Sequence, residues 1–116
     1  MKKIYYLSTC DTCKRIISEL ELKDKGFIFQ DIKTEKITSA QLEEMKNLAG
    51  SYEALFSRIA RKYKELGLPS KTLTEADYKK FILEEYTFLK RPVILLNHKI
   101  FIGNSKAVIA EVKDAL

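Results

Sequence analysis

The sequence of 116 residues contains only two cysteines and one histidine. A structural zinc site takes about four Cys or His ligands, so no metal centre is expected. No apolar run approaches the roughly twenty residues that span a bilayer, so no membrane association is expected. Met1-Lys2-Lys3 leads straight into a short strand-like stretch, without the apolar segment and cleavage site of a signal peptide. The expected location is therefore cytoplasmic, where a cysteine pair stays reduced or cycles. Long basic runs are also missing. The 21 Lys and Arg residues are interleaved with 16 Asp and Glu, for a net charge of +5. That balance favours anionic partners only mildly, and with no recognised motif, direct nucleic-acid binding is not expected. Repeats, linkers and low-complexity stretches are absent, and the length suits a single domain over residues 1–116.

Both cysteines lie in Ser8-Thr9-Cys10-Asp11-Thr12-Cys13-Lys14-Arg15, with two residues between them. Lys3-Ile4-Tyr5-Tyr6-Leu7 before it reads as a buried strand. Cys13, Ile16, Ile17 and Leu20 after it recur on one helix face. The Cys-x-x-Cys thus sits where a strand stops and a helix starts. A helix N-terminus carries partial positive charge and free N–H donors, and Lys14 and Arg15 add full charges. All of these favour a thiolate, the reactive form of cysteine. Cys10 is expected to be the exposed nucleophile, and Cys13, one turn on and facing inward, the resolving thiol. A disulfide across so short a loop would stabilise little, which speaks against a static bridge. Two buried, inert cysteines are the remaining alternative.

The first helix is expected over about Thr12 to Leu22, and a second strand over Phe27–Ile32, completing a βαβ unit with parallel strands. Thr38 and Gln41 form a capping box, with Ile37 and Leu42 as a hydrophobic staple. Leu42, Met45, Leu48 and Ala49 give that helix its apolar face, and Gly50 ends it. A helical stretch with Leu55, Phe56, Ile59, Tyr63 and Leu66 on its apolar face closes at Gly67-Leu68-Pro69, with a break near Arg61. Another helix starts at Thr74, with Asp77 three residues on and Tyr78, Phe81 and Ile82 on one face. Residues 36 to 88 are thus a largely helical insertion. Val93–Leu96 and Lys99–Ile102 form a hairpin about Asn97-His98, where Asn tolerates the positive φ of a tight turn. Asn104-Ser105 caps a last helix that shows Val108, Ile109, Val112 and Leu116. His98 on the turn is expected to be solvated.

The order βαβ, helical insertion, ββα, with Cys-x-x-Cys after the first strand, resembles the thioredoxin fold: an α/β domain with a mixed four-stranded sheet. Cys10-Asp11-Thr12-Cys13-Lys14, Tyr63-Lys64-Glu65-Leu66-Gly67-Leu68 and Lys90-Arg91-Pro92-Val93-Ile94 make the chain similar to the ArsC family over essentially its whole length. That family holds the glutaredoxin-linked arsenate reductases, their short relatives and the Spx transcription regulators. The resemblance implies that Cys10 matches the catalytic cysteine. It implies that Arg91 matches an anion-binding arginine, before a cis proline at Pro92. The reductases use two further arginines. At one of those positions this chain has Ile59, with Arg58 beside it, and at the other Gly103. An oxyanion needs its charge spread over several donors, so arsenate reduction is expected to be weak or absent.

Two functions remain open. In the first, Cys10 attacks a sulfur or oxyanion substrate and Cys13 or glutathione resolves the adduct, with a thiol or disulfide compound as the expected partner. Arg91, with Lys14 or Arg58, then holds an anionic group such as a glutathione carboxylate. Lys14 and Arg58 have an equally ordinary reading as solvated side chains. No cofactor is expected to be bound; glutathione, a glutaredoxin or a thioredoxin is the expected electron donor. In the second, the chain is a redox sensor of the Spx kind that binds RNA polymerase. The Spx proteins usually run a little longer at the C-terminus, which tilts the reading toward the enzyme.

Overall fold

The computed structural model describes residues 2–116. In chain order it runs β1 (Lys2–Tyr6), α1 (Asp11–Glu19), β2 (Ile28–Asp31), α2 (Ser39–Ala49), α3 (Arg61–Glu65), α4 (Glu75–Glu84), β3 (Val93–Leu96), β4 (Lys99–Ile102) and α5 (Lys106–Ala115). The chain divides into two compact units. One joins the residues up to Lys36 with Arg91–Leu116, and the other is Ile37–Lys90.

The first unit carries a four-stranded sheet in the order β2-β1-β3-β4. β1 and β2 are parallel, with Ile4 opposite Phe29; β3 runs antiparallel to both β1 and β4, with Ile94 between Ile4 and Phe101. This mixed α/β sheet is the thioredoxin-like arrangement expected. Every residue of β3 is buried, which is why it reads as an unbroken apolar run. Ile4, Ile94, Leu96 and Phe101 from the sheet pack with Ile16, Ile17 and Leu20 of α1 and Val112 of α5. The β3–β4 turn takes Asn97 at φ 60°, and His98 is exposed there.

α1 is shorter than its apolar spacing suggested. It stops at Glu19; Glu21 turns left-handed at φ 52°, and a single 3-10 turn spans Leu22–Asp24. The reason lies in the core. Leu20 and Leu22 are both buried, yet in a continuous helix residues two apart point about 200° away from each other. The left-handed residue re-aims the chain so that both reach the interior. Lys25 Nζ then donates to the Leu20 carbonyl at 2.7 Å, a cation at the negative end of the helix. β2 is likewise shorter than expected, and Phe27, just ahead of it, still enters the core. At the C-terminus α5 ends at Ala115, and Leu116 is partly exposed rather than in the core.

In the second unit both capping boxes form as expected, Thr38 with Gln41 on α2 and Thr74 with Asp77 on α4. Ile37 and Leu42 are buried together at the start of α2, and Gly50 ends it at φ 97°. The helix expected through Leu55 to Leu66 does not form as one piece. A 3-10 turn covers Glu53–Leu55, and Phe56 is extended and bridges to Leu89. Ser57 N–H donates to the Phe88 carbonyl at 2.7 Å and Lys90 N–H to that of Leu55 at 2.9 Å. Phe56 is fully buried, with its ring centroid 4.9 Å from Tyr78, 5.0 Å from Phe88 and 6.0 Å from Tyr63. Pairing and ring packing outweigh helix propensity here. The helix resumes only at Arg61, and Ile59 is 94% exposed instead of facing a core.

These burials order the cost of three substitutions. Ile16→Ala is expected to lose about 2–5 kcal/mol, Thr38→Ala about 1 kcal/mol, and Ile59→Ala no more than about 0.5 kcal/mol. Urea midpoints at constant slope measure all three. A loss at Ile59 comparable to that at Ile16 would contradict its exposure.

Candidate functional site

The site is built where β1 gives way to α1. Cys10 is the N-cap of α1, in extended conformation at φ −95° and ψ 112°. Its N–H donates to the Leu7 carbonyl at 3.1 Å, and its own carbonyl accepts from Lys14 N–H at 3.1 Å. These two bonds pin the helix start to the end of the strand. Because Cys10 stands before the first turn, its side chain keeps partial exposure, whereas Cys13, on the face of Ile16 and Ile17, has none. Both thiols are free, and Cys13 lies within hydrogen-bonding reach of Cys10.

Burial pushes the Cys13 thiol up from 9.0 to about 11. The Leu7 N–H opposes this by favouring the thiolate, the neighbouring Cys10 adds to it, and the Arg91 guanidinium pulls back down. Arg91 is thus brought to the cysteine pair from the far end of the sequence. It precedes Pro92 through a cis bond, its Nε is buried, and the Pro92 carbonyl accepts from Gly103 N–H at 2.9 Å. Lys14 is exposed on α1, where it helps line a groove of about 460 Å³ floored by Tyr6, Ile17 and Phe29.

Two neighbours of the pair were not singled out from the sequence. Ser8 Oγ, on the loop before Cys10, donates to the Asp31 carboxylate at the end of β2. Burial raises the Asp31 pKa, but the bonds from Ser8 and from Lys33 N–H outweigh it and leave the group below its usual range. The signal for this contact is the parallel pairing of β1 and β2, which sets Tyr6 opposite Asp31 and brings both strand ends to the Cys10 loop.

Arg58 belongs to the second unit. Its guanidinium donates to Glu53 at 2.8 Å and to the Tyr78 hydroxyl at 3.0 Å, and Glu53 above all holds its charge. At the two positions where the reductases carry arginines, Ile59 points to solvent and Gly103 sits at φ 90° ahead of α5. Among the described residues no group of three or more His, Cys, Asp or Glu gathers. Among the same residues no helix is long and apolar enough to cross a membrane.

The raised Cys13 value carries a pH signature. Between about pH 9 and pH 11 the folded chain keeps a proton that the unfolded chain releases, so stability falls as pH rises through that window. Below pH 9 both states hold the proton and the effect vanishes. Urea unfolding at stepped pH on wild type and Cys13→Ser checks this; the drop is expected to shrink in the variant, and an unchanged drop would assign it elsewhere.

The residues from 5 to 112 match the model of the ArsC family. A search of curated proteins gives no match. Among solved structures, an ArsC-family-related protein from Bacteroides fragilis superposes with a TM-score of 0.82 at 21% identity, over 99% of this chain and 97% of its own. An arsenate reductase from Vibrio cholerae gives 0.80 at 17% identity, over 99% and 97%. An arsenate reductase (ArsC) related protein from Brucella melitensis gives 0.72 at 25% identity, over 91% and 88%. The first two likenesses are of fold. The family match covers nearly the whole chain, including both cysteines and Arg91, and on that ground the chain belongs to the ArsC family.

Proposed function

We propose that the chain is a thiol-disulfide oxidoreductase in which Cys10 is the nucleophile and Cys13 the resolving thiol. The observation that carries this reading is the unequal pair at the start of α1: one thiol partly exposed, the other buried, within hydrogen-bonding reach, and with the Arg91 guanidinium acting on the buried one. Membership of an arsenate-reductase-like family supports thiol chemistry at this place.

The Cys10 thiolate attacks one sulfur of a substrate disulfide, forms a mixed disulfide and releases the other half as a thiolate. Cys13 then attacks the Cys10 sulfur, its proton passing to the second thiolate as that leaves. Two electrons have moved from the pair to the substrate, and a Cys10–Cys13 disulfide remains. Glutathione, a glutaredoxin or a thioredoxin returns the electrons. Arg91 and Lys14 hold an anionic group of the substrate, such as a glutathione carboxylate, and Pro92 sets the backbone beside it. Arg58, already bound to Glu53, is not needed for this step.

Three outcomes are expected. Cys10→Ser abolishes reduction of a small disulfide, while Cys13→Ser stalls at a mixed disulfide that mass spectrometry detects on Cys10. Arg91→Ala slows reaction with anionic disulfides roughly ten- to a hundredfold relative to neutral ones, the worth of one charge-assisted contact. Arsenate turnover with glutathione and glutaredoxin is weak or absent, since Ile59 and Gly103 stand where arginines would share the charge; robust turnover would overturn that part. An absence of disulfide turnover, together with redox-dependent recovery of RNA polymerase subunits from lysate, would replace the enzyme with a regulator of the Spx kind.

A further inference from the structure

The most exposed large apolar side chain among the described residues is Ile59, at 94%; Ile28, Leu48, Leu66 and Leu116 reach 39–55%. Single exposed apolar residues are ordinary. The setting of this one is not. Ile59 lies on a turn whose preceding residues are fixed, by the Ser57–Phe88 hydrogen bond, by the Phe56–Leu89 bridge and by the ring cluster around Phe56. The turn therefore holds its isoleucine out on a rigid base. Such an anchor loses little conformational entropy when a partner covers it.

The charge around it has one dominant sign. Arg58, Arg61, Lys62 and Lys64 fall within seven residues. Arg58 is neutralised by Glu53 and Lys62 by Glu65. Arg61 and Lys64 form no ion pair among the described residues, and with Arg58, Ile59, Ala60 and Glu65 they line a shallow hollow of about 500 Å³, in which three cations face one carboxylate. We propose that this hollow is a docking surface for an acidic segment of a partner protein, with an apolar side chain of that segment seated on Ile59 and its carboxylates on Arg61 and Lys64. An apolar anchor inside a charged rim is the arrangement that concentrates binding energy at protein interfaces. An anionic membrane fits less well: α3 is only five residues long and has no buried or apolar face to lay on a bilayer. The inference rests on residues 57–66 alone and stands whatever the substrate of the Cys10 thiol.

The test uses the full chain labelled for amide NMR and three short synthetic peptides: one of Glu and Leu, one of Lys and Leu, one of Glu and Gly. The Glu/Leu peptide is expected to shift the amides of residues 57–66 saturably. Its affinity should fall on the order of tenfold in Ile59→Asp and in the double variant Arg61→Glu, Lys64→Glu, and should weaken as salt screens the rim. Ile59→Ser serves as a milder second variant, and all variants should still form the Cys10–Cys13 disulfide. Equal binding of the Lys/Leu peptide would reduce the surface to greasiness, and equal binding of the Glu/Gly peptide would reduce it to charge; either overturns the proposal. So does the absence of shifts at residues 57–66, or Ile59-dependent sedimentation with phosphatidylglycerol vesicles in place of peptide binding.

Discussion

Cys13 has no exposed surface although it lies in the first turn of a helix, where side chains and backbone ordinarily meet water. That burial constrains everything near it. It requires the start of α1 to be tied to the sheet, which the Cys10–Leu7 and Lys14–Cys10 bonds accomplish. It requires apolar residues behind Cys13, which Ile16 and Ile17 supply at helical spacing over Ile4 and Ile94. It leaves Cys10 outside the helix as the partly exposed sulfur of the pair. Accessibility and burial are therefore not two separate properties of the pair. Both follow from where the helix begins.

What could be read from the sequence was what neighbours along the chain decide. Thr38 with Gln41, Thr74 with Asp77 and Asn97 in the hairpin turn are contacts within four residues, and each formed as read. The inward and outward cysteines belong to the same class, since one helical turn separates them. What failed depended on distant partners. Periodicity put Phe56 and Ile59 on one helix face, but Phe56 is claimed by Leu89 and by the rings of Tyr78 and Phe88, none of which a local window contains. Once Phe56 is extended, Ile59 loses the helix that would have turned it inward. The early stop of α1 has the same origin, because Leu22 is drawn into a core shared with Phe27 and Phe101. Ser8 with Asp31 needed the register of β1 on β2. The nearness of Arg91 to Cys13 came from resemblance, not from any pattern in the residues themselves.

The positions of the arginines separate two kinds of anion chemistry. An oxyanion spreads its charge over several oxygens and calls for donors from several directions. A thiolate is one soft centre and responds to a single nearby cation and to backbone N–H groups. Cys13 has the second environment: the Leu7 N–H and the Arg91 guanidinium both favour its thiolate. Under the proposed function this environment serves a sulfur anion, the species that disulfide exchange requires.

The same groups give the pair a sequence of events. The neighbouring Cys10 adds to the burial that keeps Cys13 protonated. A buried thiol held up near 11 is a poor nucleophile at neutral pH, which in the proposed mechanism leaves incoming disulfides to Cys10. In the proposed mechanism, a mixed disulfide on Cys10 removes the raising influence of that thiol on Cys13. The Leu7 N–H and Arg91 remain, and both favour ionisation of Cys13. Under that proposal, capping the outer sulfur eases ionisation of the inner one at the step where resolution is required, and burial above all sets its resting state.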